Sequence, residues 1–436
     1  MFDLTSRRTQ HAVGQGAFHS ASIFLRDNEY PSFHFVYDCG AQLAGRMTAA
    51  LIDSVISYTE CTPRVDALIL SHFDFDHING ARMLASKVKV QRVYVPYLSP
   101  KTLILELTRQ AANIGLLEIN ELFGIANGGA LWGTPVTRVQ GRPRGDEPEG
   151  IRYDNSKTPN DGPAVPEWPA LDVTIDGNRV IPSVISHDSS LEIADGDLVL
   201  WYLKFWNYGA DERLAEMVIE ELNKNSVNFP VAALSVPEGA ATVADWLSNK
   251  VNRDAAIDSY FKAILRRFNE LGWKRPSKGL LPNLISLAAF SGPTLDMYHW
   301  VRTWRSNCTV HGIEVIHPID GFFRDFGWVG TGDAPLGEDA VWFEFYGHFQ
   351  NELEKVNVML MPHHGAAPKS GPHYYRDELN KHPGMMNIFS AGEKNNYKHP
   401  KAEVLRDVLL AGGRVTVVTE NKATQWEEEI VFSSRP

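Results

Sequence analysis

Three cysteines in 436 residues, Cys39, Cys61 and Cys308, are too few and too widely spaced for a disulfide framework or a cysteine-based zinc site. Their scarcity leads us to expect a reducing, cytoplasmic setting. No apolar run approaches the ~18 residues that a membrane-spanning helix needs, so no membrane crossing is expected. The opening residues, MFDLTSRRTQHAVGQG, lack the apolar core of a secretory signal. Basic residues are also in deficit: 42 Lys and Arg face 53 Asp and Glu, a formal charge of −11. A field of that sign repels nucleic acid and anionic membrane, so an anionic substrate would need a local cationic site.

What is present reads as a folded α/β chain. The hydrophobic fraction of 44% and charged fraction of 22% are those of globular proteins. The length exceeds what one core usually fills, which predicts two domains or one domain with large insertions. Phe33 to Tyr37, Val65 to Leu70, Gln91 to Val95, Leu198 to Leu203, Leu284 to Phe290, Val329 to Thr331, Val356 to Leu360, Met386 to Ser390 and Arg414 to Thr419 are strand-like. Helices are expected from Lys101 to about Leu122 and from Pro400 to Leu410. Leu214, Met217, Val218 and Leu222, then Ile257, Tyr260, Phe261, Ile264, Leu265, Phe268 and Leu271, follow the 3.6-residue period. They define a helical insertion over 207–279. Residues 141–169, rich in proline and charge, read as a long surface loop.

The densest chemical signal is Ser71-His72-Phe73-Asp74-Phe75-Asp76-His77, two imidazoles and two carboxylates directly after an apolar strand. Divalent metals want nitrogen and oxygen ligands converging from a rigid edge, and a loop at a strand end provides one. A solvated polar loop with a helix cap at Asp76 is the plainer alternative. Thr331-Gly332-Asp333, Met361-Pro362-His363-His364-Gly365 and Asn395-Asn396-Tyr397-Lys398-His399-Pro400 repeat the pattern of candidate ligands after a strand. Singly, each could be an ordinary turn.

Taken in order, these motifs resemble the metallo-β-lactamase superfamily, and within it the hydrolase domain of ComEC-type bacterial DNA-uptake proteins. Val13-Gly14-Gln15-Gly16 resembles that group's VGQG turn, Asp38-Cys39-Gly40 its D-x-G, and Ser71 to Gly80 its S-H-x-D-x-D-H-x-x-G signature. Asp333 is similar to its bridging Asp, His363 and His364 to its P-H-H-G, and Asn395 to Pro400 to its N-x-Y-G-H-P. Ala17, Ala366 and Lys398 depart from the group's pattern. The resemblance implies an αββα sandwich with a helical insertion: residues 1–206 as its first half, 207–279 inserted, and 280–436 as its second half. It further implies two divalent ions, manganese or zinc with magnesium a third choice. One ion would take His72 and Asp74, the other Asp76 and His77, with Asp333 bridging. His364 or His399 would complete a sphere, and His187 is a weaker candidate for the remaining position. His363, Asp38, Asn395 and Tyr397 would support the ligands or substitute for one.

The expected reaction is hydrolysis of a phosphodiester in a nucleic acid or nucleotide, with Asp76, His364, His399 and Lys398 as the catalytic candidates. Lys398 would meet a phosphate, or simply be a solvated loop lysine. Lys274, Arg275 and Lys278 could form a basic rim or a solvated turn, and Trp300 and Trp304, at helical spacing, are more often core than base-stacking. Two other classes compete: a hydrolase of ester, thioester or lactone substrates, and a metal-stabilised effector or scaffold acting with an operon partner through the insertion, for instance in phage defence.

Overall fold

The computed structural model describes residues 3–25, 31–43, 46–112, 117–141, 172–175, 181–195, 198–225, 228–272, 281–294, 301–308, 313–318, 326–366 and 384–433. Most of the expected loop at 141–169, the Lys274 to Lys278 run and Trp300 lie outside them.

Strands pair into two large sheets. The path of one runs Val184–Ser186, Thr134–Gln140, Val93–Pro96, Ala67–Ile69, Phe33–Leu43, Gly16–Leu25, Asp3–Gln10, Trp426–Ser433, Val301–Cys308 and Ile313–Pro318. The other runs Asp172–Ile175, Ser190–Asp195, Leu198–Asn207, Leu287–Pro293, Gly327–Gly330, Val356–Leu360, Met386–Ser390 and Arg414–Val418. The stretch from Val184–Ser186 to Phe33–Leu43 is parallel, as is the stretch from Gly327–Gly330 to Arg414–Val418. Parallel pairing needs crossover segments, and the helices Ala49–Cys61, Asp339–Leu353 and Ala402–Leu410 lie within such connections.

Alternation decides which side chains meet. Phe33, Phe35, Tyr37 and Ile69 of the first sheet share one buried cluster with Leu203, Leu287, Ala289, Trp328, Val358 and Ile388 of the second. The opposite faces bury Val36 and Leu68 with Leu51, Val55 and Leu84, and Phe290, Met359 and Phe389 with Phe345, Phe349 and Val408. Every such side chain buried contributes about 1.5–3 kcal/mol. Leu214, Met217, Val218, Tyr260, Ile264 and Phe268 join that second cluster, from the helices Glu212–Lys224 and Lys250–Glu270.

Asp38 interrupts the alternation. Tyr37 faces the inter-sheet cluster, yet Cys39, two positions on, faces the helices. The change falls at Asp38, whose φ of 54° is left-handed, a conformation Asp tolerates better than most residues. The partner strand shows a matching irregularity between Phe18 and His19. Gly40 then passes the metal-loop backbone so closely that a Cβ would sit 2.5 Å from the His77 carbonyl carbon. A side chain at 40 would therefore push the strand away from the 75–78 turn.

Three sequence expectations are corrected. The helix expected from Lys101 to Leu122 is two helices, Leu103–Ala111 and Ile119–Ala126. The second starts with its own capping box, in which Glu121 Oε2 accepts from the Glu118 backbone N–H at 2.9 Å. The strand expected from Leu284 begins instead at Leu287, because Pro282 opens a short 3₁₀ turn over Pro282–Ile285. Trp304 lies in the strand Val301–Cys308, not at a helical position, since that segment pairs with the C-terminal strand. Among the described residues no helix is long and apolar enough to cross a membrane.

Candidate metal centre

The parallel strands deliver their C-terminal ends to one place. Ser71 and His72 follow Ala67–Ile69, Asp333 follows Gly327–Gly330, His363 and His364 follow Val356–Leu360, and Asp76 and His77 lie on the helical turn Phe75–Ile78. Strand ends of this kind are where open α/β sheets place ligands. His72, His77, Asp76, Asp333 and His364 are all buried.

Three imidazoles are fixed by their Nδ1 atoms. His77 Nδ1 donates to Asp38 Oδ2 at 2.8 Å. His364 Nδ1 lies 2.9 Å from the Ser390 carbonyl, which can only accept. The Ser71 hydroxyl donates to Asp38 Oδ2 at 2.7 Å and is thereby left to accept from His72 Nδ1 at 2.9 Å. Each ring consequently turns its Nε2 into the site, the atom that would bind an ion once it carries no proton. This is the arrangement in which outer hydrogen bonds orient metal-binding histidines.

Those nitrogens face carboxylates and one another. Asp333 Oδ1 is 3.1 Å from His77 Nε2 and 3.5 Å from His364 Nε2, while Oδ2 is 3.8 Å from His72 Nε2 and 3.6 Å from His363 Nε2. Asp76 Oδ2 is 3.6 Å from His364 Nε2, and Asp74 Oδ2 is 3.7 Å from His72 Nε2. His77 Nε2 and His364 Nε2 stand 3.3 Å apart. Two lone pairs at that distance repel unless a cation or proton lies between them. Two convergent donor groups result, His72 with His77 and Asp333, and Asp76 with His77 and His364. His72 Nε2 is buried with no hydrogen-bond partner. Imidazole nitrogen and carboxylate oxygen suit zinc and manganese, so the donor set fits divalent ions.

Electrostatics show what happens without one. Burial opposes charge on His77, but Asp333 and Asp38 outweigh it and hold its pKa well above the ordinary value. Burial, with His77 beside it, pushes His72 down to about 4, and burial also lowers His364. Burial would raise Asp333, yet His363, His77 and His364 hold it well below the carboxylate range. An ion-free site thus favours the protonated form of His77.

The remaining candidates divide. His363 is part exposed, in a left-handed conformation with φ of 49°. Asn395 closes the following loop, accepting from the His399 N–H and donating to its carbonyl, both at 2.8 Å. Tyr397 stacks on the His399 ring at 5.8 Å, and Lys398 is exposed. His399 lies 5.8 Å, ring to ring, from His363 and joins neither donor group. Asp74 also falls outside both groups: its Oδ1 is gripped by Arg109.

His187 is placed elsewhere. It pairs with His348, ring centroids 4.6 Å apart, beside Asp188. Its strand, Val184–Ser186, is the terminal strand of its sheet, and the Asn207 N–H points at its Nδ1 from 3.5 Å.

Two contributors escaped the sequence reading. Arg109, on the helix Leu103–Ala111, is 2% exposed. Asn283, equally buried, points Nδ2 at Asp333 Oδ2 from 3.5 Å and has its Oδ1 buried without a hydrogen-bond partner. The only local signals were an arginine three residues after a glutamate in an apolar helix, and an asparagine between Pro282 and an apolar run.

No curated protein matches the chain. Residues 22–179, which carry the loop from His72 to His77, match the family model of the metallo-beta-lactamase superfamily, whose members are usually metal-dependent hydrolases.

Proposed function

We propose that the chain is a two-metal hydrolase that cleaves phosphodiester bonds in a nucleic acid or nucleotide. The observation that carries this reading is the convergence of three Nε2 atoms, of His72, His77 and His364, on the carboxylate of Asp333. In this reading the fold is an αββα sandwich with residues 207–279 inserted into it, and the protein is cytoplasmic.

The two oxygens of Asp333 divide the site. Oδ1, with His77, His364 and Asp76, would hold one ion, and Oδ2, with His72 and one oxygen of Asp74, would hold the other. Asp333 is then the bridge, and Asn283 steadies its Oδ2. Divalent ions held there would supply Lewis acidity and ease the deprotonation of water near neutral pH. The choice of a phosphodiester is supported by the oxygen-rich donor set, which favours hard ions such as Mn²⁺ and Mg²⁺. Lys398, exposed on the loop that Asn395 closes, would be the cation to meet a substrate phosphate.

The test is hydrolysis by the Mn²⁺-reconstituted chain of single-stranded and duplex nucleic acid, cyclic nucleotides, and a panel of esters, thioesters and lactones. Cleavage restricted to phosphodiesters and lost in Asp76→Asn/His77→Ala is expected. Turnover of the carbonyl panel alone, or activity that survives the double substitution, would overturn the proposal.

A further inference from the structure

We propose that Arg109 holds Asp74 by one oxygen, leaving the other to face His72, and that its fixed charge weakens ion binding at that one position. The inference rests on the two-ion reading above and names what governs one of its two sites.

The helix Leu103–Ala111 carries Glu106 and Arg109 on one face, three residues apart. Arg109 Nη1 donates to both oxygens of Glu106, at 3.0 and 3.2 Å, and Nη2 donates to Asp74 Oδ1. Glu106 and Arg109 are buried, the Asp74 side chain is 22% exposed, and Arg109 stays charged. Glu106 is the weaker counter-charge, because burial pushes its own pKa up to about 8, so the guanidinium pairs chiefly with Asp74. Its effect is on Asp74, whose free oxygen is left 3.7 Å from His72 Nε2. The fork also places a fixed positive charge beside an ion position that holds two carboxylates, Asp74 and Asp333.

The network is backed by the inserted helices. Tyr260, on Lys250–Glu270, shares a small cavity with Glu106 and Arg109, lined further by Leu214, Pro282 and Ile285. Displacement of that helix would therefore reach Asp74 through one side chain.

Calorimetric titration of the full metal-free chain with Mn²⁺ alone tests this. Wild type should bind two ions. Arg109→Gln should tighten one of them about tenfold and leave the other within twofold, because a positive charge beside one site is gone. Arg109→Lys, which keeps the charge, should stay within threefold of wild type at both. Asp74→Asn should loosen the same site about a hundredfold, and adding Arg109→Gln should recover about tenfold of that loss. Should Arg109→Gln fail to fold, Arg109→Met/Glu106→Gln, which leaves no buried charge in the network, serves instead and should tighten the same site about tenfold. Unchanged isotherms in Arg109→Gln or in that double variant, or loosening at either site, would overturn the role of Arg109 while leaving the two-ion reading intact. A wild-type chain that takes up fewer than one Mn²⁺ overturns the two-ion reading instead.

Discussion

Asp38 Oδ2 lies 2.8 Å from His77 Nδ1, and the left-handed turn at Asp38 puts it there. The same carboxylate accepts from the Ser71 N–H at 2.6 Å and from the Ser71 hydroxyl at 2.7 Å, so one residue sets the tautomers of both His72 and His77. Asp38→Ala should lower divalent-ion affinity 10- to 100-fold, the usual cost of losing such an orienting partner. Asp38→Asn keeps the shape but offers an amide that can turn either its oxygen or its NH₂ toward His77, and should fall between the two. Ion titration of the purified variants reads the order, and equal affinity in all three would remove Asp38 from the site.

Ion uptake should release a proton. The ion-free site holds one on His77, where Asp333 and Asp38 outweigh burial, and a ligand nitrogen must give it up. Calorimetry at pH 7 in buffers of different ionisation enthalpy should report about one proton released per chain. Asp333→Asn removes one of the charges that raise the His77 pKa, so its release should fall clearly below that of wild type. No release from the wild-type chain would contradict the assigned protonation.

How much of this was legible in the sequence follows from how local each signal is. His72 to His77 are six consecutive positions after an apolar strand, so their chemistry needed no fold to be seen. Asp333 and His364 read only as strand-end motifs, and required the strand order to meet. Arg109 and Asn283 act across 35 and 50 positions, on Asp74 and Asp333, where no local pattern points. His187 carried the right side chain, but nothing in its neighbours reveals that its strand ends the sheet. The strand Asp3–Gln10 was invisible for another reason: it buries Ser6, Arg8 and Gln10, so the apolar alternation that marks strands is missing.

Acid should destabilise the chelated protein through histidines remote from the site. Burial pushes His11 down to about 3, with Lys422 adding to the effect, and burial with Arg64 nearby does the same to His34. Folding holds both neutral while the unfolded chain protonates them below about pH 6.5. The unfolded state then binds more protons, so stability is full above pH 6.5 and is lost as pH falls toward 3. At pH 5 each should cost about 2 kcal/mol. Thermal melts of wild type and of His11→Phe/His34→Phe between pH 7 and 4.5 compare the slopes. The variant should show the flatter one, and parallel slopes would mean that neither histidine is held neutral.

A buried ion pair within the first sheet also anchors a side chain of the second, and cutting it should be costly. Arg8 on Asp3–Gln10 pairs with Glu428 on Trp426–Ser433. Both side chains are 1% exposed. Asn357, from the other sheet, donates to Glu428 Oε1 at 3.1 Å. Burial pulls the Arg8 pKa down and Glu428 opposes it, so the guanidinium depends on this one carboxylate. Removing a single partner leaves a buried charge uncompensated, which costs about 3–5 kcal/mol, whereas replacing both with apolar residues of similar size is often neutral. Denaturant melts should therefore place Glu428→Ala about 3–5 kcal/mol below wild type, with Arg8→Met/Glu428→Leu close to wild type despite losing the same bond. If the double variant falls as far as the single one, the pair contributes by its geometry, including the bond it offers Asn357, and not by avoiding an orphaned charge.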